Sequence, residues 1–196
     1  MLAGAIAALF ASPGAEVGTV PLPLTALQLL WINFLGDGPP ALALVLDRHA
    51  GVMTRPPRRA SGGAFDRASL RYIGFGGAVN GALGAALWFG LPLWGLASAA
   101  AQTALFLFSS IAKLLSVFAA REVGSAAHAK EAKRRPNVVL GLVIVASVAL
   151  QVSTALFAPL SAALGLGGGD RGSCFAVVAV ATVINSLALW LLARRA

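Results

Sequence analysis

Runs of about 20 mostly apolar residues, the length that crosses a bilayer as a helix, recur from one end of this sequence to the other with only short connectors between them. The fuller runs are Leu24–Leu46, Tyr72–Leu96, Thr103–Ala120, Val138–Leu160 and Cys174–Ala193, preceded by a shorter one at Leu2–Ala11. That pattern leaves little choice of solvent. Every run must face lipid or another run, and in lipid a backbone satisfies its own polar groups only as a helix or a closed barrel. Runs this long and continuous predict helices, so the expected fold is all-α: a polytopic transmembrane bundle of about six segments, a single domain over residues 1–196. The first segment is truncated, since ten residues at about 1.5 Å each cover about half of a 30 Å hydrocarbon layer. Its sequence, MLAGAIAALF, lacks the positively charged start of a secretory signal.

Composition agrees: 58% of residues are hydrophobic and 11% charged, against about 45–50% and 25% in soluble domains. The net charge of +8 could point to nucleic acid. The basic residues, however, sit between apolar runs with no aromatic-rich polar surface beside them, so no nucleic-acid partner is expected. Their placement reads instead as topology. Arg48, Arg55, Arg58, Arg59, Arg67 and Arg71 lie after the second run, Arg121, Lys130, Lys133, Arg134 and Arg135 after the fourth, and Arg194 and Arg195 in the tail. Alternating threading puts all thirteen on one side, which the positive-inside rule makes cytoplasmic. The basic loops 47–71 and 121–136 and the C-terminus are therefore expected in the cytoplasm, with the plasma membrane as the expected location and the lipid bilayer as the first partner. Only Lys113 and Arg171 stand apart.

A charged side chain at the bilayer centre costs about 2.5–3.5 kcal/mol on insertion scales, so it needs a partner, water or a function. Asp37 lies in the middle of the second run, with Asn33 one helical turn before it. The i, i+4 spacing puts a carboxylate and an amide oxygen on one face, the ligand type that hard cations take. Around them Gly36, Gly38, Pro39 and Pro40 predict a broken helix, because the prolines remove backbone donors, and freed carbonyls at membrane depth line cavities. Asn33 and Asp37 are thus the candidate cation and metal ligands. Lys113, mid-way along the fourth run near Ser109, Ser110 and Ser116, is a possible charge partner for Asp37, a tethered counter-ion. The bland alternative is a lysine that snorkels to the interface.

Asn80, Gln151 and Asn185 read as interhelical hydrogen-bonders before they read as ligands. Gly74, Gly77, Gly81 and Gly84 form a stripe at 3- and 4-residue spacing that predicts close helix packing. Cys174 is one cysteine inside an apolar run, a small buried hydrophobe rather than a disulfide or thiolate site. No Gly-rich phosphate loop and no nucleophile beside a base is present, and His49 and His128 fall in connectors, so no catalytic residue is assigned. No repeat of 20–50 residues stands out.

The stretch from Pro23 through Gln28-Leu-Leu-Trp-Ile-Asn33 and Asp37-Gly-Pro-Pro-Ala41 to Leu44, followed by Met53-Thr-Arg-Pro-Pro-Arg58, resembles the sixth membrane helix and following loop of type II P-type cation-transporting ATPases, the calcium-pump group. At lower specificity the resemblance continues to the end of the chain, whose segments then correspond to the family's fifth to tenth helices. It implies that Asn33 and Asp37 stand at cation-binding positions. Gly36 stands where the family often has Thr, and Lys113 where it has an acid or amide, which points away from calcium and toward a proton or sodium ion. The family's phosphorylation motif, nucleotide-binding domain and first four helices have no counterpart here. The resemblance therefore implies a cation-translocating portion dependent on a catalytic half as its partner, with ATP and Mg as cofactors of that half and none in this chain. The alternative is a structural or regulatory remnant of a pump that moves nothing.

Overall fold

A computed structural model describes residues 22–46, 67–126, 137–167 and 171–195. The expected first segment Leu2–Ala11 and most of the two basic loops lie outside the described residues. Among those described, the chain forms six helices: α1 (Ala26–Val45), α2 (Arg67–Leu93), α3 (Ser98–Ala126), α4 (Val138–Leu156), α5 (Ala158–Ala163) and α6 (Arg171–Arg195). Four of them, α2, α3, α4 and α6, are long and apolar enough to cross a membrane. With 20 residues α1 also matches a bilayer in length at about 1.5 Å per residue, and it carries Gln28, Asn33, Asp37 and tandem prolines along that length.

Local chemistry sets the helix ends. A reciprocal box starts α1: the Gln28 amide N–H donates to Thr25 Oγ1 at 3.2 Å, and the Thr25 N–H donates to Gln28 Oε1 at 2.9 Å. Asn137 caps α4 by accepting from the Leu140 N–H at 2.9 Å. Both α2 and α5 end on a glycine in the left-handed region, Gly95 (φ 84°) and Gly165 (φ 64°). In each, the following N–H closes a long bond back into the helix, Leu96 to the Leu91 carbonyl at 3.1 Å and Leu166 to the Ser161 carbonyl at 2.8 Å. The run expected to be one span over Val138–Leu160 is interrupted at Phe157, whose backbone is extended (ψ 111°). Pro159 contributes to the interruption, since it has no N–H to donate to the Ala155 carbonyl and sits in the first turn of the next helix, where no such donor is needed.

The central helix is α3, which packs against α1, α2, α4 and α6. Its Ala100, Ala101, Ala104, Phe106 and Ala112 are fully buried, and small residues alternating with Phe let four neighbours approach it. It runs parallel to α1, because Gln102 donates to the Leu22 carbonyl at one end while Lys113 meets Asp37 further along. It also runs parallel to α6, where Cys174 Sγ lies 3.7 Å from the Ala100 carbonyl. By contrast α2 and α4 run the other way, with Tyr72 donating to the Ser116 carbonyl and Asn137 to the Ala43 carbonyl. This alternation gathers Arg67, Arg71, Arg121 and Arg194 at one end of the bundle. There the Arg194 guanidinium lies 3.7 Å from the centre of the Trp190 ring, an aromatic pairing suited to a membrane interface.

The outside of the bundle is apolar along its length, with Phe34, Leu42, Leu142, Val145, Val183 and Leu187 all exposed. Together with the four spanning helices, that makes the chain a multi-pass integral membrane protein.

The glycine stripe is displaced from its expected face. Gly74, Gly77 and Gly81 are exposed, and a side chain on any of them would meet nothing within 4 Å. Only Gly84 of the four packs, a Cβ there lying 3.2 Å from Leu105. Its partner in packing is Gly76, two turns earlier and buried, where a Cβ would stand 2.8 Å from Leu189 Cδ2 of α6. In a helix this rich in glycine, 3- and 4-residue spacings occur on more than one face, and the neighbouring helices decide which is used. Gly76→Val should lower stability by about 1–3 kcal/mol through overpacking against α6. Gly77→Val and Gly81→Val should stay within about 0.5 kcal/mol, as read by reversible unfolding of the chain in mixed micelles.

Candidate functional site

The candidate site lies half-way along α1, where Asn33 and Asp37 project from the same face. From the centre of α3, the Lys113 ammonium reaches both: Nζ donates to Asp37 Oδ2 at 2.8 Å and to Asn33 Oδ1 at 3.1 Å. The pair is not sealed from its surroundings. Lys113 is 33% exposed and Asp37 64% exposed in this chain. Asp37 shares its open face with Leu30 and Phe34, which are also exposed. A hydrogen-bonded charge pair at the centre of a membrane bundle is favoured over either charge alone, since each neutralises what the bilayer penalises.

The expected helix break at Gly36, Gly38, Pro39 and Pro40 is not seen: α1 continues as α-helix from Ala26 to Val45 with both prolines inside it. The prolines act without unwinding the chain. Having no N–H, they leave the carbonyls of Leu35 and Gly36 without an intrahelical donor, within a turn of Asp37. Gly36 is buried against α3, and a Cβ on it would fall 2.8 Å from Lys113 Cδ and 3.3 Å from Cε. A side chain at Gly38 would meet nothing within 4 Å.

Polar anchors fix α1 on either side of these residues. Gln28, fully buried, donates Nε2 to the Leu164 carbonyl at 2.9 Å, and the Trp31 indole N–H donates to Gln151 Oε1 at 3.0 Å. Beyond the site, Asn137 Nδ2 donates to the Ala43 carbonyl at 3.2 Å. Gln151 thus joins α1 to α4 as an interhelical bonder. Asn185 is fully buried on α6, and neither of its amide atoms has a partner among the described residues. Asn80 lies half-buried on α2, one turn from Gly76. Neither of the two is brought to Asp37 by any contact described. Sequence reasoning missed Gln28, Asn137 and the role of Gly36. The first was visible as Thr-x-x-Gln before an apolar run, whereas the others depend on which helix lies opposite.

Among the described residues no three His, Cys, Asp or Glu side chains come together. The oxygen set available to a cation is therefore one carboxylate, one amide and backbone carbonyls, a set suited to hard cations rather than to zinc or copper.

Residues 21–191 match the family model described as "Cation transporting ATPase, C-terminus". The chain belongs to that family. It is 32% identical over 183 residues to plasma membrane-type calcium-transporting ATPase 7 of Oryza sativa subsp. japonica, covering 92% of this chain and 18% of the relative. It is 49% identical over 49 residues to a calcium-transporting ATPase of Bacillus subtilis, covering 24% of this chain and 6% of that protein. With calcium-transporting ATPase type 2C member 2 of Mus musculus it shares 38% over 81 residues, 40% of this chain and 8% of the relative. The chain thus spans less than a fifth of the length of the plant relative. It corresponds to the C-terminal membrane part of cation-transporting ATPases, as the Gln-Leu-Leu-Trp-Ile-Asn and Asp-Gly-Pro-Pro-Ala residues of α1 implied.

Asn137 does two jobs for the site, capping α4 and holding the far end of α1. Asn137→Ala should cost about 1–3 kcal/mol, combining a lost cap with a carbonyl left unpaired. Asn137→Ser keeps a capping oxygen and should recover about 1 kcal/mol of that, so unfolding of the two variants in micelles separates the cap from the anchor.

Proposed function

We propose that the chain is the cation-translocating membrane portion of a P-type ATPase and that Asn33 and Asp37 bind the transported cation near the middle of the membrane. The observation that carries this reading is a carboxylate and an amide oxygen one turn apart at mid-helix, beside two carbonyls that the prolines deprive of donors. An acid at that depth costs free energy that folding alone does not require. In this reading transport proceeds by alternating access, driven by phosphorylation in a catalytic half that supplies the Mg- and ATP-binding residues. The basic end of the bundle faces the cytoplasm, and the plasma membrane is the proposed location.

Lys113 narrows the choice of ion. Asp37 and the ammonium sum to no net charge, so a divalent ion added to the pair would leave two uncompensated charges in a setting where one is already costly. A proton or another monovalent cation, exchanging against the ammonium, leaves a smaller excess. The same contact favours a second reading: with Asn33 Oδ1 and Asp37 Oδ2 both accepting from Lys113, the chain is a structural or regulatory piece that moves nothing.

The readings separate in membranes that hold this chain together with a catalytic half, assayed for cation-stimulated ATP hydrolysis and phosphoenzyme across calcium, magnesium, sodium, potassium and pH. Transport predicts that Asp37→Asn lowers cation-stimulated turnover by about 100-fold or more, and that Asn33→Ala weakens the apparent cation affinity by about tenfold, the worth of one ligand at about 1.4 kcal/mol. Full activity in Asp37→Asn would remove the site assignment, and an assembled complex without cation-stimulated turnover would favour the structural reading.

A further inference from the structure

Lys113 reaches Asn33 and Asp37 only because of what is missing from α1. Its ammonium stands 2.8 Å from Asp37 Oδ2, and to get there its stem crosses the surface of α1 directly over Gly36. A Cβ at Gly36 would lie 2.8 Å from Lys113 Cδ, 3.3 Å from Cε and 3.5 Å from Cγ. Three consecutive methylenes are within reach of one added carbon. Tipping the end of the chain would not clear it, because the closest atom is in the middle of the stem. A lysine stem has other staggered rotamers, and those are where a side chain at position 36 would send it. Gly38, on the other side of Asp37, has no such neighbour, since a Cβ there would meet nothing within 4 Å.

Resting on the assignment of Asn33 and Asp37 as the cation site, we propose that Gly36 is a selectivity-determining residue: its bare backbone is the seat for the Lys113 stem, and the seated ammonium holds the place that a divalent cation would take on the two α1 oxygens. Gly36 touches no ion in this arrangement. It acts through Lys113, by letting a resident monovalent charge use the amide and the carboxylate at once. The device is local to one turn of α1 and one side chain of α3. Exclusion of divalent cations is then built into backbone shape rather than into an extra positive residue alone.

Two measurements on the full chain in lipid nanodiscs test this. The first is Mn²⁺ binding, followed by its paramagnetic resonance. The wild-type chain should bind Mn²⁺ at background level, and Lys113→Met should bind it at least about tenfold more tightly. Gly36→Ala should reproduce most of that gain although the lysine is still present, and the double variant should add nothing to Lys113→Met, as expected when two changes act on one contact. The second is the solid-state NMR coupling between Lys113 Nζ and Asp37 Cγ, which should be strong in the wild type and in Gly38→Ala and lost in Gly36→Ala. Retained coupling in Gly36→Ala, or a gain of Mn²⁺ binding in Lys113→Met that Gly36→Ala does not share, overturns the role of Gly36 while leaving the cation site standing. No Mn²⁺ binding in Lys113→Met overturns the proposal that the seated ammonium holds a divalent cation's place, and leaves a monovalent site at Asn33 and Asp37 to be judged by the turnover of Asp37→Asn.

Discussion

The contact between Lys113 and the two oxygens of α1 is the constraint from which the centre of this bundle is built. At the depth of the bilayer an ammonium and a carboxylate are each unfavourable alone and far less so together, so the two helices that carry them cannot slide or rotate relative to one another without separating charge. That fixes the parallel register of α1 and α3, seen independently in the bond from Gln102 to the Leu22 carbonyl. It also fixes the composition of α1 at the crossing. Gly36 faces α3 where the lysine stem passes, and a larger residue there would trade contact with α3 for the charge pair.

Holding a polar helix such as α1 in an apolar bundle needs more than this pair, and the chain supplies it at both ends. Gln28 and Trp31 tie the first turns to α4 and to the turn after α5, and Asn137 ties the last turns to the start of α4. Between those anchors the face of α1 with Leu30, Phe34 and Asp37 is open. A helix pinned at its ends holds Asn33 and Asp37 in fixed register with Lys113. In the function proposed above, that fixed geometry is what a transported cation would meet.

Much of this was legible before the structure, and the parts that were not share a cause. The apolar runs gave the spanning helices because lipid forces helical backbone, and the basic residues predicted one shared end, where Arg67, Arg121 and Arg194 are found. The shared face of Asn33 and Asp37 was legible from the helical period, and the contact of Lys113 with them from its depth. What the sequence left open was which faces meet. The face of α2 that packs passes through Gly76 and Gly84 rather than Gly74, Gly77 and Gly81, because a packing face is defined by its neighbour, here Leu189 of α6. The run Val138–Leu160 is interrupted at Phe157 although apolar residues continue, a boundary near Pro159 that the hydropathy concealed.

The tandem prolines of α1 show most clearly how sequence and structure divide the information. From sequence, two missing donors at membrane depth imply a break, because unpaired carbonyls in hydrocarbon are expensive. The helix nevertheless continues through them. The carbonyls of Leu35 and Gly36 lack the donors that positions 39 and 40 would supply, and Gly36 itself lies against the Lys113 stem, one residue before Asp37. A break would loosen the i, i+4 relation that aligns Asn33 with Asp37. Continuity through the prolines instead frees two backbone oxygens while Asn33 and Asp37 stay one turn apart. The chemistry of an interrupted helix is thereby retained in an uninterrupted one, and the rigidity needed to seat Lys113 is retained with it.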